Sequence, residues 1–324
     1  MKVMRILLIS AVVVGVIFAC SGNSLAAEKK FPTKPIQVII PFQPGETDNL
    51  LRPFLEKMPE YLGQPVSIVY KPGAAGSLGA GFVAGSKPDG YTLLGSSSSA
   101  VVILPLTQKD LPYNWKSFAP ITGLADCPQL LAVLSDSPWK TLPDLIAAAK
   151  QSPNQITFSC SGTFSFNHLM IESLSKHAGV KLNFIPSQGA GPAMTALLGG
   201  HVQMAGVGMA PALPHIKVGT IRPLAVYDPR RIDALPEVPT LSELGYPLTN
   251  QAIFGILAPK GTPKEIVETL YSAAKKVVEN HKPALTDRLE KLGSQIGFIG
   301  LDDYRAYFQM QHEYFGKVLE GLQR

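Results

Sequence analysis

The fold of this chain is decided by Ile36-Gln37-Val38-Ile39-Ile40-Pro41-Phe42 and by the turn that follows, Pro44-Gly45-Glu46-Thr47-Asp48. The first stretch is an apolar run of the length of a buried strand. Residues 49–61 then carry apolar side chains at helical spacing, and Val66 to Tyr70 is a second apolar run. A strand, a helix and another strand in this order predict a parallel βαβ unit.

The same alternation continues to the end of the chain. Further strands are predicted at Tyr91 to Leu94, Leu130 to Leu134, Gln155 to Phe158, Leu182 to Ile185, Met204 to Val207, Ile221 to Val226 and Phe254 to Leu257. Helices are predicted at 141–150, 167–177, 192–198, 213–218, 263–280 and 302–322. This pattern predicts an α/β fold with parallel-rich sheets flanked by helices.

Two of these strands have a special place in the pattern. Leu130 to Leu134 and Phe254 to Leu257 each leave one α/β block and enter another. We interpret them as crossover strands between two lobes, with residues 27–127 plus 256–324 in lobe 1 and 128–255 in lobe 2. A chain that crosses twice forms a hinge, and the cleft between two lobes is a common place for a ligand.

Composition and charge exclude several classes of protein. The chain has 324 residues, 46% of them hydrophobic and 16% charged, which is typical of a globular chain large enough for two domains. The formal net charge of +5 falls to about +3 if Lys2 and Arg5 are removed with a leader. The basic residues are scattered, with no run longer than Lys29-Lys30 or Arg230-Arg231, so we expect no nucleic-acid partner.

The first residues are typical of a secretory signal peptide. Lys2 and Arg5 precede the apolar run Ile6 to Ala19, and small residues follow up to Ala27. We expect residues 1–26 to be removed and the mature chain to be periplasmic. A retained membrane anchor is the alternative, but the apolar run is shorter than the ~20 residues that span a bilayer.

The three cysteines leave choices open. Ile17-Phe18-Ala19-Cys20 is similar to a lipobox, although Phe18 fits it poorly, so a lipoprotein tethered through Cys20 is a second possibility. An oxidising compartment permits a disulfide between Cys127 and Cys160, and two buried free thiols are the other interpretation. Because no Cys or His residues have metal-ligand spacing, we expect neither a metal nor a cofactor.

Four predicted strand-to-helix loops are rich in Gly, Ser or Thr: Pro44 to Asp48, Gly95 to Ser99, Ser159 to Ser165 and Ser187 to Gly191. Ligands of open α/β sheets lie beyond the carboxyl ends of the strands, and helix N-termini there offer unpaired N–H groups to an anion. The candidate ligand-binding residues are Gln43, Gly45, Glu46, Thr47, Asp48, Ser97, Ser98, Ser161, Gly162, Thr163, Phe164, Ser187, Gln188, Gly189 and Ala190.

Each loop also has an ordinary structural interpretation. Ser, Thr and Gly cap helices and form turns in any fold. Taken alone, Asp48 fits a helix cap better than a ligand contact, and His168 on an early helical turn fits a structural role. Phe164 fits either the core or a wall of the cleft facing an apolar ligand group.

Four pairs of motifs carry a resemblance to a known family. They are Pro32 to Ile36 with Pro41 to Gly45; Lys71 to Gly76 with Lys87 to Leu94; Leu197 to Gly200 with Leu213 to Lys217; and Leu235 to Thr240 with Leu257 to Pro263. In this order they resemble the substrate-binding proteins of tripartite tricarboxylate transporters, the Bug family, over nearly the whole mature chain.

The resemblance implies a two-lobed, type II-like periplasmic binding protein without enzymatic activity. It also implies a small organic acid as ligand and integral-membrane transporter subunits as partners. In such proteins the loop after the first strand binds a carboxylate, which corresponds here to Gln43 through Asp48. The second-lobe loops of the family correspond to Ser159 to Phe166 and Ser187 to Gly191. We expect a monomer.

The chain departs from the family pattern at three places. Glu46 stands where the family has a second Gly, Ser187-Gln188-Gly189 replaces a Tyr-Lys-Gly type of loop, and Gly206 to Ala210 lacks an acidic or amide residue. A carboxylate at Glu46 would repel an anionic ligand unless it turns away or is protonated. We therefore expect an acid less charged than citrate, aromatic or monocarboxylic, or a ligand with an amine for Glu46.

An exported hydrolase and a sensor subunit are the alternatives to a transport protein. An exported hydrolase would need a nucleophile with a base, and the chain has no Gly-x-Ser-x-Gly elbow, no phosphate loop and no His-Glu-x-x-His motif. We therefore expect no catalytic residues. A sensor subunit that presents its ligand to a signalling receptor would use the same closed lobes, so the sequence does not separate it from a transport protein.

Overall fold

A computed structural model describes residues 30–323, with the side chain of the last of these excluded. The described residues form two β-sheets, of six and five strands, with helices packed on both. The predicted signal peptide and Cys20 lie outside the described residues. No helix within 30–323 has the length and apolar character needed to cross a membrane.

The six-stranded sheet has the order β11-β4-β10-β3-β1-β2. Its strands are β1 (Ile36–Ile40), β2 (Val66–Tyr70), β3 (Thr92–Ser96), β4 (Phe118–Asp126), β10 (Ile253–Pro259) and β11 (Gln295–Ile299). β1 pairs in parallel with β2 and β3, which confirms the predicted βαβ unit. Ile36, Val38 and Ile40 on one face of β1 and Ile39 on the other are fully buried, whereas Gln37 is exposed.

The five-stranded sheet has the order β7-β6-β8-β5-β9. Its strands are β5 (Gln129–Leu134), β6 (Thr157–Ser159), β7 (Asn183–Phe184), β8 (Met204–Gly208) and β9 (Ile221–Val226). The chain passes from the first sheet to the second at Cys127 and Pro128, between β4 and β5. It returns through residues 227–252, between β9 and β10.

Both sheets are mixed rather than parallel-rich. β6 pairs in parallel with β7 and β8, whereas β5 runs antiparallel to β8 and β9, and β10 runs antiparallel to β3 and β4. The strands of a βαβ unit all end at the edge of the sheet that carries the strand-to-helix loops. β5 and β10 each enter from the other sheet and start at that edge, so they run antiparallel to those strands.

The helices are α1 (Glu46–Leu55), α2 (Pro59–Leu62), α3 (Ser77–Ala84), α4 (Leu104–Thr107), α5 (Leu142–Gln151), α6 (Phe166–Ala178), α7 (Ala190–Leu198), α8 (Met209–Lys217), α9 (Lys264–Glu290) and α10 (Leu301–Gln323). The helix predicted over 49–61 is two helices. Pro59 begins the second, and at the first position of a helix the N–H that proline lacks would have no partner within the helix. Thr141 and Asp144 form a capping box at the start of α5.

The last helix contacts both halves of the molecule. α10 packs along β4 in the six-stranded sheet and against α6, which covers the other sheet. The rings of Phe315 and Phe166 are 5.6 Å apart, edge to face, and the Tyr314 hydroxyl lies 3.6 Å from the Met170 sulfur. These contacts hold the start of α6 at the boundary between the two sheets.

Candidate ligand cleft between the two sheets

The predicted loops meet in a small cavity between the two sheets. Its volume is about 20 Å³, room for about one water molecule, so the structure is a closed form. The cavity is lined by Phe42, Gln43, Glu46, Thr47, Ser97, Ser99, Ser161, Ala190 and Phe254. Larger cavities of about 550 and 390 Å³ lie elsewhere, but neither is lined by the predicted loops. We therefore identify the cleft by the residues that line it rather than by its volume.

Glycines bring the loops of the two sheets into contact. A Cβ on Gly191 would lie 3.6 Å from the Pro44 carbonyl oxygen, and one on Gly189 would lie 4.0 Å from the Gln43 nitrogen. Gly45 and Gly189 also have φ values of 156° and 139°, which side-chain-bearing residues rarely adopt. The loop after β1 and the start of α7 therefore approach through their backbones.

A hydrogen bond joins the two sides of the cleft at the start of α6. The backbone N–H of Phe166 donates to the Ser99 hydroxyl at 3.1 Å. This N–H belongs to the first turn of α6, where no partner exists within the helix. Ser99 thus caps a helix that belongs to the opposite side of the cleft.

The Glu46 carboxyl spans the cleft. It begins α1, yet its Oε1 accepts hydrogen bonds from the Gln129 side-chain amide at 3.0 Å and from the Cys127 thiol at 3.7 Å. The Gly208 backbone lies against the same carboxyl. Burial raises the pKa of Glu46, and hydrogen bonding to Gln129 and Cys127 opposes the rise. The carboxyl predicted to face an anionic ligand is therefore turned toward protein donors.

A second hydrogen bond fixes the donor of Glu46. The Asn167 side-chain amide donates to Gln129 Oε1 at 2.7 Å, and both side chains are buried. Asn167 lies in the first turn of α6 and Gln129 is the first residue of β5. The chain Asn167–Gln129–Glu46 thus connects three elements that are far apart in sequence.

The structure places the other predicted residues in three ways. Around the cavity lie Gln43, Glu46, Thr47, Ser97, Ser161 and Ala190, with Gly45, Gly162 and Gly189 beside it in the same loops. Ser98 is buried and its hydroxyl has no partner among the described residues. Thr163 and Gln188 are exposed, and Phe164 is half-buried with its N–H donated to His168 Nδ1 at 3.0 Å.

Asp48 and Ser187 have partners within their own neighbourhoods. Asp48 forms an ion pair with Arg52 at 2.7 Å and accepts a hydrogen bond from the Tyr70 hydroxyl at 2.8 Å. Its carboxylate therefore fastens α1 to β2 instead of capping the helix. The Ser187 hydroxyl, with its single hydrogen, lies within hydrogen-bond distance of the Cys160 and Gly189 carbonyls, which holds its loop in shape.

Sequence reasoning missed part of the site. Phe42, Ser99 and Phe254 line the cavity but are not among the candidate ligand-binding residues, although Ser99 ends a predicted loop. Gln129 gave a weak signal, since it is a polar residue at the start of an otherwise apolar strand, whereas Asn167 gave none because α6 contains several other polar residues. Nothing in the sequence indicated that Glu46 would meet them.

His168 and the two described cysteines have structural environments. Burial lowers the pKa of His168 to about 4, and its Nδ1 accepts the Phe164 N–H, as a structural role predicts. Cys127 and Cys160 are buried free thiols, so the disulfide interpretation is wrong. Within residues 30–323 no three His, Cys, Asp or Glu side chains converge as metal ligands.

Two α/β units that close on a cleft lined by serine hydroxyls, glycine loops and a helix N-terminus define the architecture of a solute-binding protein. Residues 50–323 match the family described as the tripartite tricarboxylate transporter family receptor, TctC, and the chain belongs to this family. Glu46 lies just before the matched residues.

Individual relatives agree with this assignment. The chain is 36% identical to Protein BugT of Bordetella pertussis over 263 residues, 80% of this chain and 81% of that protein. MatC from Rhodopseudomonas palustris, solved with bound malate, has 27% identity and a TM-score of 0.83 over 89% of this chain and 99% of that one. A second R. palustris protein, solved with adipate, has 28% identity and a TM-score of 0.84 over 90% and 98%.

Proposed function

We propose that this protein is an extracytoplasmic solute-binding protein that captures a small organic acid in the cleft between the sheets and delivers it to a tripartite tricarboxylate-type membrane transporter. The observation that carries the proposal is the convergence of loops from both sheets on one cavity with neutral hydrogen-bond donors. Family membership and the acids bound by two relatives support it.

Binding requires the cleft to open and close. A cavity of about 20 Å³ cannot admit an acid of several carbon atoms, so the ligand must enter an open form. We propose that lobe 1, which holds the six-stranded sheet, and lobe 2, which holds the five-stranded sheet, move about the two crossings at residues 127–128 and 227–252. The Ser99–Phe166 hydrogen bond and the glycine contacts belong to the closed form.

The donors of the cleft favour a carboxylate. Several serine and threonine hydroxyls and the start of α6 can each donate to an anion without bringing a positive charge. Phe42 and Phe254 add apolar surface for the rest of the ligand. The acids solved with the two relatives carry two carboxyl groups, whereas the carboxyl of Glu46 favours a monocarboxylic or aromatic acid here.

Location and partners follow from the N-terminal sequence and the family. The predicted signal peptide of residues 1–26 supports a periplasmic mature chain, with a lipid anchor at Cys20 as the second possibility. The receptor family supports delivery to a membrane transporter and a binding role without catalysis. A sensor subunit that presents its ligand to a receptor is the alternative, and co-purification with membrane proteins would separate the two.

A thermal-shift screen of the purified mature chain tests the proposal. Monocarboxylates, dicarboxylates, tricarboxylates, aromatic acids and amino acids would each be added, because a ligand that binds only the folded state raises the unfolding midpoint. A shift with one class of acid, with the ligand recovered chemically unchanged, is the expected result. No shift with any acid, or conversion of the ligand, would contradict the proposal.

A further inference from the structure

The carboxyl of Glu46 occupies a carboxylate-binding site made by residues on the far side of the cleft. Its Oε1 accepts from Gln129 at the start of β5 and from Cys127 at the crossing, and it lies against the Gly208 backbone at the end of β8. A side-chain amide is an ordinary donor to a bound carboxylate. These donors are therefore already hydrogen-bonded to a carboxyl group of the protein itself.

The fit of this carboxyl is close. A Cβ on Gly208 would lie 1.5 Å from Glu46 Oε1, so only glycine leaves room for the carboxyl at that place. The Gln129 amide is held in position by Asn167, and its other hydrogen-bond partner is the Cys127 carbonyl at 3.1 Å. A preorganised donor set of this kind can hold one carboxyl group. Because the Glu46 carboxyl occupies it, a carboxyl group of the ligand cannot bind there.

We propose that Glu46 replaces one of the two carboxyl groups that a dicarboxylate would place in the cleft, so that the native protein takes a monocarboxylate. The inference rests on the proposed function and names its ligand class. The single carboxylate of the ligand would use the donors that remain around the cavity, from Thr47, Ser97 and Ser161. Its other end would be apolar and would lie toward Phe42 and Phe254.

The charge of Glu46 does not contradict an anionic ligand. Burial raises the pKa of Glu46, which favours the neutral carboxylic acid. The Cys127 thiol lies 3.7 Å from Glu46 Oε1, and burial raises its pKa as well, so it adds no negative charge at neutral pH. The ligand carboxylate then faces hydrogen bonds rather than a like charge.

The test measures binding of matched acids by calorimetry: hexanoate against adipate, and benzoate against terephthalate. The variants are Glu46→Ala and Glu46→Gly, which vacate the donors, and Glu46→Gln, which removes the charge but keeps an oxygen on Gln129. We expect the native chain to prefer the monocarboxylate. Glu46→Ala and Glu46→Gly should gain affinity for the dicarboxylate by about tenfold or more, and Glu46→Gln should gain little.

Two results would overturn the inference while leaving the proposed function intact. One is an equal gain for the dicarboxylate in Glu46→Gln, which would mean that charge alone excludes it. The other is no gain in Glu46→Ala or Glu46→Gly when their unfolding midpoints show folded protein. If neither the native chain nor any variant binds an acid, the proposed function itself fails.

Discussion

Two buried carboxyl groups at the crossings between the sheets predict a pH-dependent stability. Asp126 ends β4 and Asp228 follows β9, and their exposed fractions are 5% and 6%. Asp126 Oδ2 accepts from the Gln295 amide at 2.9 Å, while Asp126 Oδ1 and Asp228 Oδ2 accept no hydrogen bond within the described residues. Burial, followed by the charge of Asp126, raises the pKa of Asp228 to about 7.

The sign of the effect follows from this rise. The folded state binds the Asp228 proton more tightly than the unfolded chain does, so the free energy of unfolding falls as the pH rises from about 4 to about 7 and then levels off. Because one pKa unit corresponds to about 1.4 kcal/mol, the loss between pH 5 and pH 8 should be about 2–3 kcal/mol. Arg230 opposes the rise in pKa, and the value of about 7 already includes its effect.

Urea unfolding of the native chain and of Asp228→Asn at pH 5, 6, 7 and 8 measures the effect. The variant should lack this component of the pH dependence and should be the more stable protein above pH 7. Asp233→Asn is the matched control, since Asp233 is exposed and lines the same cavity of about 390 Å³. Parallel pH profiles for the native chain and Asp228→Asn would refute the reasoning.

Three further predictions concern the cleft. Ser99→Ala removes the acceptor of the Phe166 N–H, and we expect ligand affinity to fall about 3- to 10-fold, measured by calorimetry, with a loss of stability of about 1 kcal/mol; unchanged affinity would contradict a role in closure. Gly208→Ala should destabilise the protein by about 1–3 kcal/mol in thermal unfolding, because its Cβ meets Glu46. The added change Glu46→Ala should recover part of that loss, and no recovery would contradict the contact. The buried Cys160 thiol, whose pKa is raised to about 11, should react with a thiol reagent far more slowly in native protein than in urea, and equal rates would refute its burial.

Much of the fold could be predicted because its signals are local. The apolar run Ile36 to Phe42 contains β1, in which every residue except Gln37 is buried, and Thr141 caps α5 as its sequence context indicates. The order of the family motifs also placed the loops around the cleft. These features depend on residues close together in the chain.

The sequence left the direction of the crossover strands and the state of the cysteines open. Whether β5 and β10 run parallel or antiparallel depends on which end of the sheet they enter, and only the connection between the sheets decides that. Cys127 and Cys160 are each buried in separate surroundings, a matter of tertiary packing that spacing cannot express.

The sequence by itself determined that this is an α/β chain with glycine- and serine-rich loops at the ends of its strands, because periodicity and turn residues act over a few positions. The resemblance to the family also marked Glu46 as a departure from the family pattern. Only the tertiary structure decided what Glu46 does there, since its partners Gln129 and Gly208 are brought to it by the closure of one sheet on the other. A hydrogen bond between residues this far apart has no local signature, and it changes Glu46 from a charge that repels a ligand to a carboxyl already bound.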